Sequence, residues 1–186
     1  MNRFLFYKIE KENYLIGYDG QSDVLVLPES YDGENYRVNT RAFSGCRWLK
    51  SVTIPKCVIG IDNLAFSDCD GLLEVINNGS LNIVRGSTEN GGIASYALKV
   101  IKNGKSEIEN VDGYLFYKCD DVNYLVDYDG NKTQFVLPEN YKGKSYDIYR
   151  NAFYGRKEIK KLTVSSGASN IGARAFKNCK DLKKLS

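Results

Sequence analysis

The chain overlays itself without a gap when shifted by 110 positions. Leu5-Phe6-Tyr7-Lys8 meets Leu115-Phe116-Tyr117-Lys118, and Asn13-Tyr14-Leu15 meets Asn123-Tyr124-Leu125. Tyr18-Asp19-Gly20 meets Tyr128-Asp129-Gly130, and Val26-Leu27-Pro28-Glu29 meets Val136-Leu137-Pro138-Glu139. Of the 72 positions from 4 to 75, 27 are identical at this shift. That is an internal duplication, 4–75 and 114–185, and it requires a fold in which one unit can be used twice.

A shorter period lies inside each copy. Ala42-Phe43 returns 23 residues later as Ala65-Phe66, and Ala152-Phe153 returns at the same spacing as Ala175-Phe176. Cys46 returns as Cys69, and the pair Leu49/Val52 returns as Leu72/Val75. A period of this length, within the range of about 20–29, is that of a leucine-rich solenoid. Leu49-x-x-Val52-x-Ile54 reads as a short strand with its apolar side chains turned inward. Pro55 ends it, because proline cannot donate to a ladder. Ile61 and Ala65-Phe66 then supply a second apolar stripe, expected as a short helical turn closed by Cys69. A single unit leaves one face unburied, so neighbouring units must stack.

Ala42-Phe43-Ser44-Gly45-Cys46, followed by Leu49, Val52, Ile54 and Pro55, resembles the BspA-like leucine-rich repeat. So do Ile61, Ala65-Phe66, Cys69, Leu72 and Val75, and in the second copy Ile171-Gly172, Ala175-Phe176, Cys179 and Leu182. Arg156 stands where a cysteine is expected and Ser165 where the proline is expected. The resemblance implies an α+β fold: a right-handed solenoid with short strands on the concave face, short helical turns on the convex face and interspersed β-hairpins. It also implies a cell-surface or secreted protein, of bacteria or protozoan parasites, with an adhesion-like role.

Between the repeats, residues 4–20 and 114–130 alternate aromatic, aliphatic and polar groups around a short polar break, the pattern of a β-hairpin. Residues 76–111 are the least regular stretch. Leu81 to Val84 is expected as a short strand, and Tyr96-Ala97 as a stand-in for the Ala-Phe position. Residues 1–186 thus read as one solenoid with an enlarged repeat at 76–111. The chain stops at Lys183-Lys184-Leu185-Ser186, in mid-repeat, so a fragment of a longer chain is expected.

Composition removes most catalytic chemistry. The chain of 186 residues has no histidine, so Ser-His-Asp and Cys-His pairs are excluded. No CxxC motif, phosphate loop or EF-hand spacing is present, and no cofactor is expected. Asp68/Asp70 and Asp120/Asp121 fall in turns, where aspartate is favoured for local reasons. The chain is read as non-enzymatic. The five cysteines are read as free thiols, with Cys46, Cys69 and Cys179 sharing one buried slot. No apolar run approaches a membrane span, and residues 1–20 do not read as a signal peptide.

Charge is distributed unevenly. Residues 1–75 hold 8 basic and 11 acidic groups, whereas 112–186 hold 14 and 9. Lys160-Lys161 recurs 23 residues later as Lys183-Lys184. On stacked strands these four would form a basic ladder about 4.8 Å per step, suited to an acidic protein or polyanion. A nucleic-acid partner is not expected, because the tyrosines follow the repeat and hairpin periods. The expected function is a binding module for a protein or glycan, such as a host extracellular component. A structural stalk or the accessory domain of a larger surface enzyme is the alternative.

Overall fold

The computed structural model describes residues 3–20 and 22–185, and of Lys184 the backbone only. Two units are distinguished, Met1–Ser106 and Glu107–Ser186.

In the first unit, the hairpin of β1 (Arg3–Ile9) and β2 (Glu12–Asp19) leads into β3 (Val24–Val26), β4 (Tyr36–Val38), β5 (Ser51–Ile54), β6 (Val58–Ile61), β7 (Glu74–Asn77) and β8 (Lys99–Lys102). Two sheets result, in the orders β1-β2-β4-β6 and β3-β5-β7-β8. Every strand pairing outside the hairpin is parallel, apart from the isolated antiparallel bridge Tyr31↔Glu34. The pairs β2/β3, β4/β5 and β6/β7 give one strand to each sheet, and the enlarged coil adds β8 to the second sheet alone. Leu15, Val38 and Ile61 from one sheet face Leu25, Val52 and Val75 from the other, and together with Phe43 and Phe66 they form one core. Burying an aliphatic or aromatic side chain of this size contributes about 1.5–3 kcal/mol before conformational entropy is subtracted, and this burial is what stacking supplies.

The second unit repeats the plan. Its strands are β9 (Glu109–Val111), β10 (Tyr114–Cys119), β11 (Val122–Tyr128), β12 (Gln134–Val136), β13 (Tyr146–Ile148), β14 (Lys161–Thr163), β15 (Ala168–Ile171) and β16 (Lys184–Leu185). Its sheets run β9-β10-β11-β13-β15 and β12-β14-β16. The aromatic residues brace both units in the same way. Phe6 stacks on Tyr31 with ring centroids 4.3 Å apart, and Phe116 stacks on Tyr141 at 4.3 Å. Buried Tyr36 and Tyr146 each donate a hydrogen bond of 2.7 Å, to the carbonyls of Pro28 and Pro138.

The α+β expectation is wrong. Among the described residues the fold is β, and its one helical element is a 3-10 turn at Asn90–Gly92. The Ala-Phe segments, expected as helical turns, are chains of tight turns. Each is bracketed by left-handed residues: Arg41 and Gly45, Leu64 and Asp68, Asn151 and Gly155, Arg174 and Asn178, with φ between 53° and 77°. An α-helix needs consecutive residues near φ −63°, so it cannot pass through these positions. The backbone is used in another direction. Phe43 N–H donates to Ala65 O at 2.8 Å, Gly45 N–H to Ser67 O at 2.8 Å, and Phe153 N–H to Ala175 O at 2.8 Å. Amides that a helix would satisfy internally are spent on the next coil. The rings follow, with Phe43 on Phe66 at 4.8 Å and Phe153 on Phe176 at 5.3 Å.

The enlarged coil also differs from expectation. Residues 81–84 form no strand, although Leu81 and Ile83 pack on the core. The slot of Ala65 is taken by Gly91, which accepts the Phe66 N–H at 2.9 Å, and not by Tyr96-Ala97. A Cβ at Gly91 would lie 2.5 Å from Asp62 O, so the close approach requires glycine. Ile93 and Ala94 then fill the core below it.

None of the five cysteines forms a disulfide. Of the three in the repeat slot only Cys69 is buried, and Cys46 and Cys179 are half-buried, so the slot is less closed than its spacing implies. The thiols of Cys69 and Cys179 donate to the carbonyls of Phe43 and Phe153, at 3.1 and 3.0 Å.

Candidate functional site

The basic positions are set by strand alternation in β14. Leu162 enters the core beside Phe135, so its neighbour Lys161 lies on the opposite, solvent side. β14 pairs in parallel with β16 in the register Lys161↔Lys184 and Leu162↔Leu185. The residues just before the strands are stacked as well. Lys160 and Lys161 N–H both donate to Thr133 O, at 2.8 and 3.2 Å, and Lys183 N–H donates to Lys160 O at 3.0 Å. Backbone hydrogen bonds thus hold Lys160 against Lys183 and Lys161 against Lys184, one rung of about 4.8 Å apart. Lys160, Lys161 and Lys183 are exposed, and none of them enters an ion pair among the described residues. The side chain of Lys184 lies outside the described residues. Two ammonium groups about 5 Å apart in water repel by about 1 kcal/mol, a cost that a bound anion removes.

The first unit uses the same backbone for the opposite purpose. Lys50 and Ser51 N–H donate to Asp23 O at 2.7 and 3.0 Å, and Leu73 N–H donates to Lys50 O at 2.8 Å. There the side chains are buried: Lys50, Ser51, Leu73 and Glu74 are all fully covered. At the shift of 110, Ser51, Leu73 and Glu74 correspond to Lys161, Lys183 and Lys184. Three non-basic positions, one of them acidic, become lysine. The 23-residue recurrence of Lys-Lys finds the ladder in the sequence, whereas only the longer shift shows that it replaces a buried arrangement.

A second charged group in this unit is structural. Arg156, in the cysteine slot, places Nη1 3.2 Å from Asp127 Oδ2 and Nε 2.5 Å from Glu158 Oε1, and Nη2 donates to Tyr128 O. Asp127 stands where the first copy has Gly17, and Arg156 where it has Cys46. The two departures form one pair.

A model of the BspA-type leucine-rich repeat region matches residues 31–135 and 146–186, in six copies. The chain belongs to the BspA-type leucine-rich repeat family. BspA-type repeats serve as interaction modules, and no enzymatic family is indicated. The chain is similar to a leucine-rich repeat protein of T. pallidum, with 18% identity over 98% of this chain and 67% of the other, at a TM-score of 0.38. It is also similar to a leucine-rich cell surface protein of Faecalibacterium prausnitzii A2-165, with 14% identity over 98% of this chain and 74% of the other, at a TM-score of 0.41. Comparison with curated proteins gives no match. No helix among the described residues of this BspA-type chain is long and apolar enough to cross a membrane.

Proposed function

We propose that the chain is a non-catalytic, adhesion-like binding module of a cell-surface or secreted protein, and that it holds an anionic protein or glycan against Lys160, Lys161, Lys183 and Lys184. The observation that carries this reading is the parallel register of Lys161 with Lys184, beside the Lys160–Lys183 contact. A bound anion relieves the repulsion along such a ladder, and Lys160, Lys161 and Lys183 have no carboxylate of their own among the described residues. Membership of the BspA-type family supports the surface setting. The test is binding to immobilised heparin across salt concentrations. Retention that falls with salt, and that is lost in Lys161→Glu/Lys184→Glu, supports the reading. Retention that the double variant leaves unchanged sinks it.

A further inference from the structure

We infer that the second unit carries a separate anion site, built to hold one carboxylate of a small ligand, in the cavity between the β10-β11 hairpin and the turn at 141–144. It shares no residue with the lysine ladder and does not depend on the ladder's reading.

The first unit shows the same place filled by a carboxylate of its own. The cross-strand pair Lys8↔Asn13 of the β1-β2 hairpin lies beside a turn closed by Tyr31 and Glu34. In that turn Tyr31 N–H donates to Glu34 O at 3.1 Å, and Glu34 N–H donates to Tyr31 O at 2.9 Å. Glu34 directs its carboxylate at the hairpin, where Oε2 accepts from Asn13 Nδ2 at 2.8 Å and from Lys8 Nζ at 3.2 Å. Asn13 Nδ2 also donates to Asn35 O at 3.3 Å, so both of its amide hydrogens are used. The bond from Asn13, and then that from Lys8, hold the Glu34 carboxyl below the ordinary glutamate range. One carboxylate thus serves a buried amide and an ammonium together.

The second unit keeps this frame and changes the charge. Lys118↔Asn123 reproduces the cross-strand pair. Tyr141 and Lys144 close the same turn, with hydrogen bonds of 2.8 and 3.0 Å, and Asn123 Nδ2 donates to Ser145 O at 3.1 Å. Lys144, however, stands at the position of Glu34, and Lys142 at that of Asp32. Asn123 is only 8% exposed, and its second amide hydrogen has no acceptor among the described residues. Lys118 and Lys144 enter no ion pair among them either. These three side chains line one cavity of about 260 Å³, with Asp121, Tyr141 and Lys142. A buried donor without an acceptor is unfavourable, and so are two like charges on one cavity; an anion answers both.

Charge and size narrow the ligand. Lys142 is already held by Glu109, at 2.6 Å. Asp121, in the hairpin turn where the first copy has Lys11, sets one negative charge against the two remaining lysines. The balance favours a single negative charge, which suits a carboxylate better than a sulfate or phosphate ester cluster. The cavity is smaller than a drug-sized pocket and admits a molecule of about one sugar ring.

The experiment titrates the full, ¹⁵N-labelled chain with acetate, glucuronate, glucose and inorganic sulfate, and follows the side-chain amide of Asn123 by NMR. Saturable movement with acetate or glucuronate, and none with glucose, is expected. Equal affinity for the two acids assigns a bare carboxylate, and tighter binding of glucuronate assigns a sugar acid; both support the inference. Lys144→Glu supplies the first unit's carboxylate within the chain. It should weaken binding at least tenfold, and the introduced carboxyl should titrate below the ordinary glutamate range. Lys118→Gln should weaken binding roughly tenfold. Lys157→Glu makes the same charge change as Lys144→Glu outside the cavity and should weaken it less than about twofold. Far-UV circular dichroism verifies that each variant is folded. Absence of saturation with both acids overturns the inference, as does equal movement with glucose. Equal weakening in Lys144→Glu and Lys157→Glu overturns it because net charge alone then explains binding. Sulfate binding tighter than either acid overturns the carboxylate assignment.

Discussion

The pairing of Arg156 with Asp127 gives the sharpest stability test. Arg156→Cys restores the residue of the first copy but takes the guanidinium away from a carboxylate whose side chain is only 3% exposed. Asp127 keeps the Tyr128 N–H, which its Oδ1 accepts at 2.7 Å, while the Tyr128 carbonyl loses the Arg156 donor. Breaking a fully buried pair costs about 3–5 kcal/mol, but the Arg156 side chain retains 24% exposure. Water reaches the vacated space, so a loss of about 2–3 kcal/mol is expected. The Glu158 contact is exposed and adds at most about 1 kcal/mol. For a unit of this size, that loss lowers the melting temperature by roughly 10–20 °C. Asp127→Gly alone is milder, because a guanidinium without its carboxylate can turn to solvent. The double variant Asp127→Gly/Arg156→Cys recreates the Gly17/Cys46 combination and should return to within about 1 kcal/mol of the parent. Thermal unfolding by far-UV circular dichroism measures the cycle, with fluorescence of Trp48, the single tryptophan, reporting on the first unit. If Arg156→Cys costs less than about 1 kcal/mol, or if the double variant is no more stable than Arg156→Cys, the two substitutions do not compensate each other.

Two further outcomes follow from the local chemistry. Burial pushes the thiols of Cys46 and Cys179 up to about 11 and that of Cys69 higher still. At pH 8 only about one in a thousand of the first two is thiolate, and Cys69, the more deeply buried, is less so, so a thiol reagent should modify Cys46 and Cys179 before Cys69; equal rates at Cys46 and Cys69 would contradict this order. The Glu109 carboxyl is held below its ordinary range by hydrogen bonds from Lys142, at 2.6 Å, and then Tyr141, at 2.7 Å. Its contribution to stability is therefore present above the ordinary glutamate value and lost as pH falls through the lowered one. A carbon-detected NMR titration should place Glu109 below that ordinary value and move it upward in Lys142→Met, and no movement would refute the assignment.

The strands and core were legible because their signal is periodic. Leu49, Val52 and Ile54 all lie in the core, and the hairpin of residues 3–19 forms where alternation places it. The helical turns failed for a local reason. The residue before each of the slot positions Cys46, Cys69, Arg156 and Cys179 is Gly45, Asp68, Gly155 or Asn178, types that tolerate positive φ, and that regularity was available to be read. The matching left-handed residues Arg41, Leu64 and Arg174 carry no such mark: their segments are joined to a neighbouring coil by backbone hydrogen bonds, as Phe43 N–H is to Ala65 O, Phe66 N–H to Gly91 O and Phe153 N–H to Ala175 O. Gly91 escaped for the same reason: its need for a bare Cα comes from Asp62 on another coil, 29 positions away. At the candidate site, the register of the lysines followed from the period. The coverage of Glu74 by the segment around Ser106 depends on a loop path that no period encodes.

The stacking interval has a mechanical consequence. Paired residues such as Ser51 and Glu74 are 23 positions apart in the chain, yet adjacent rungs are only about 4.8 Å apart. A coil of that length spans about 75 Å when drawn out, so each rung that yields under tension releases roughly fifteen times the length it occupied. Since successive rungs are closed by similar short ladders, stretching the chain from its ends would give a train of small, similar steps rather than one abrupt failure. A tether built this way lengthens and absorbs work before it breaks.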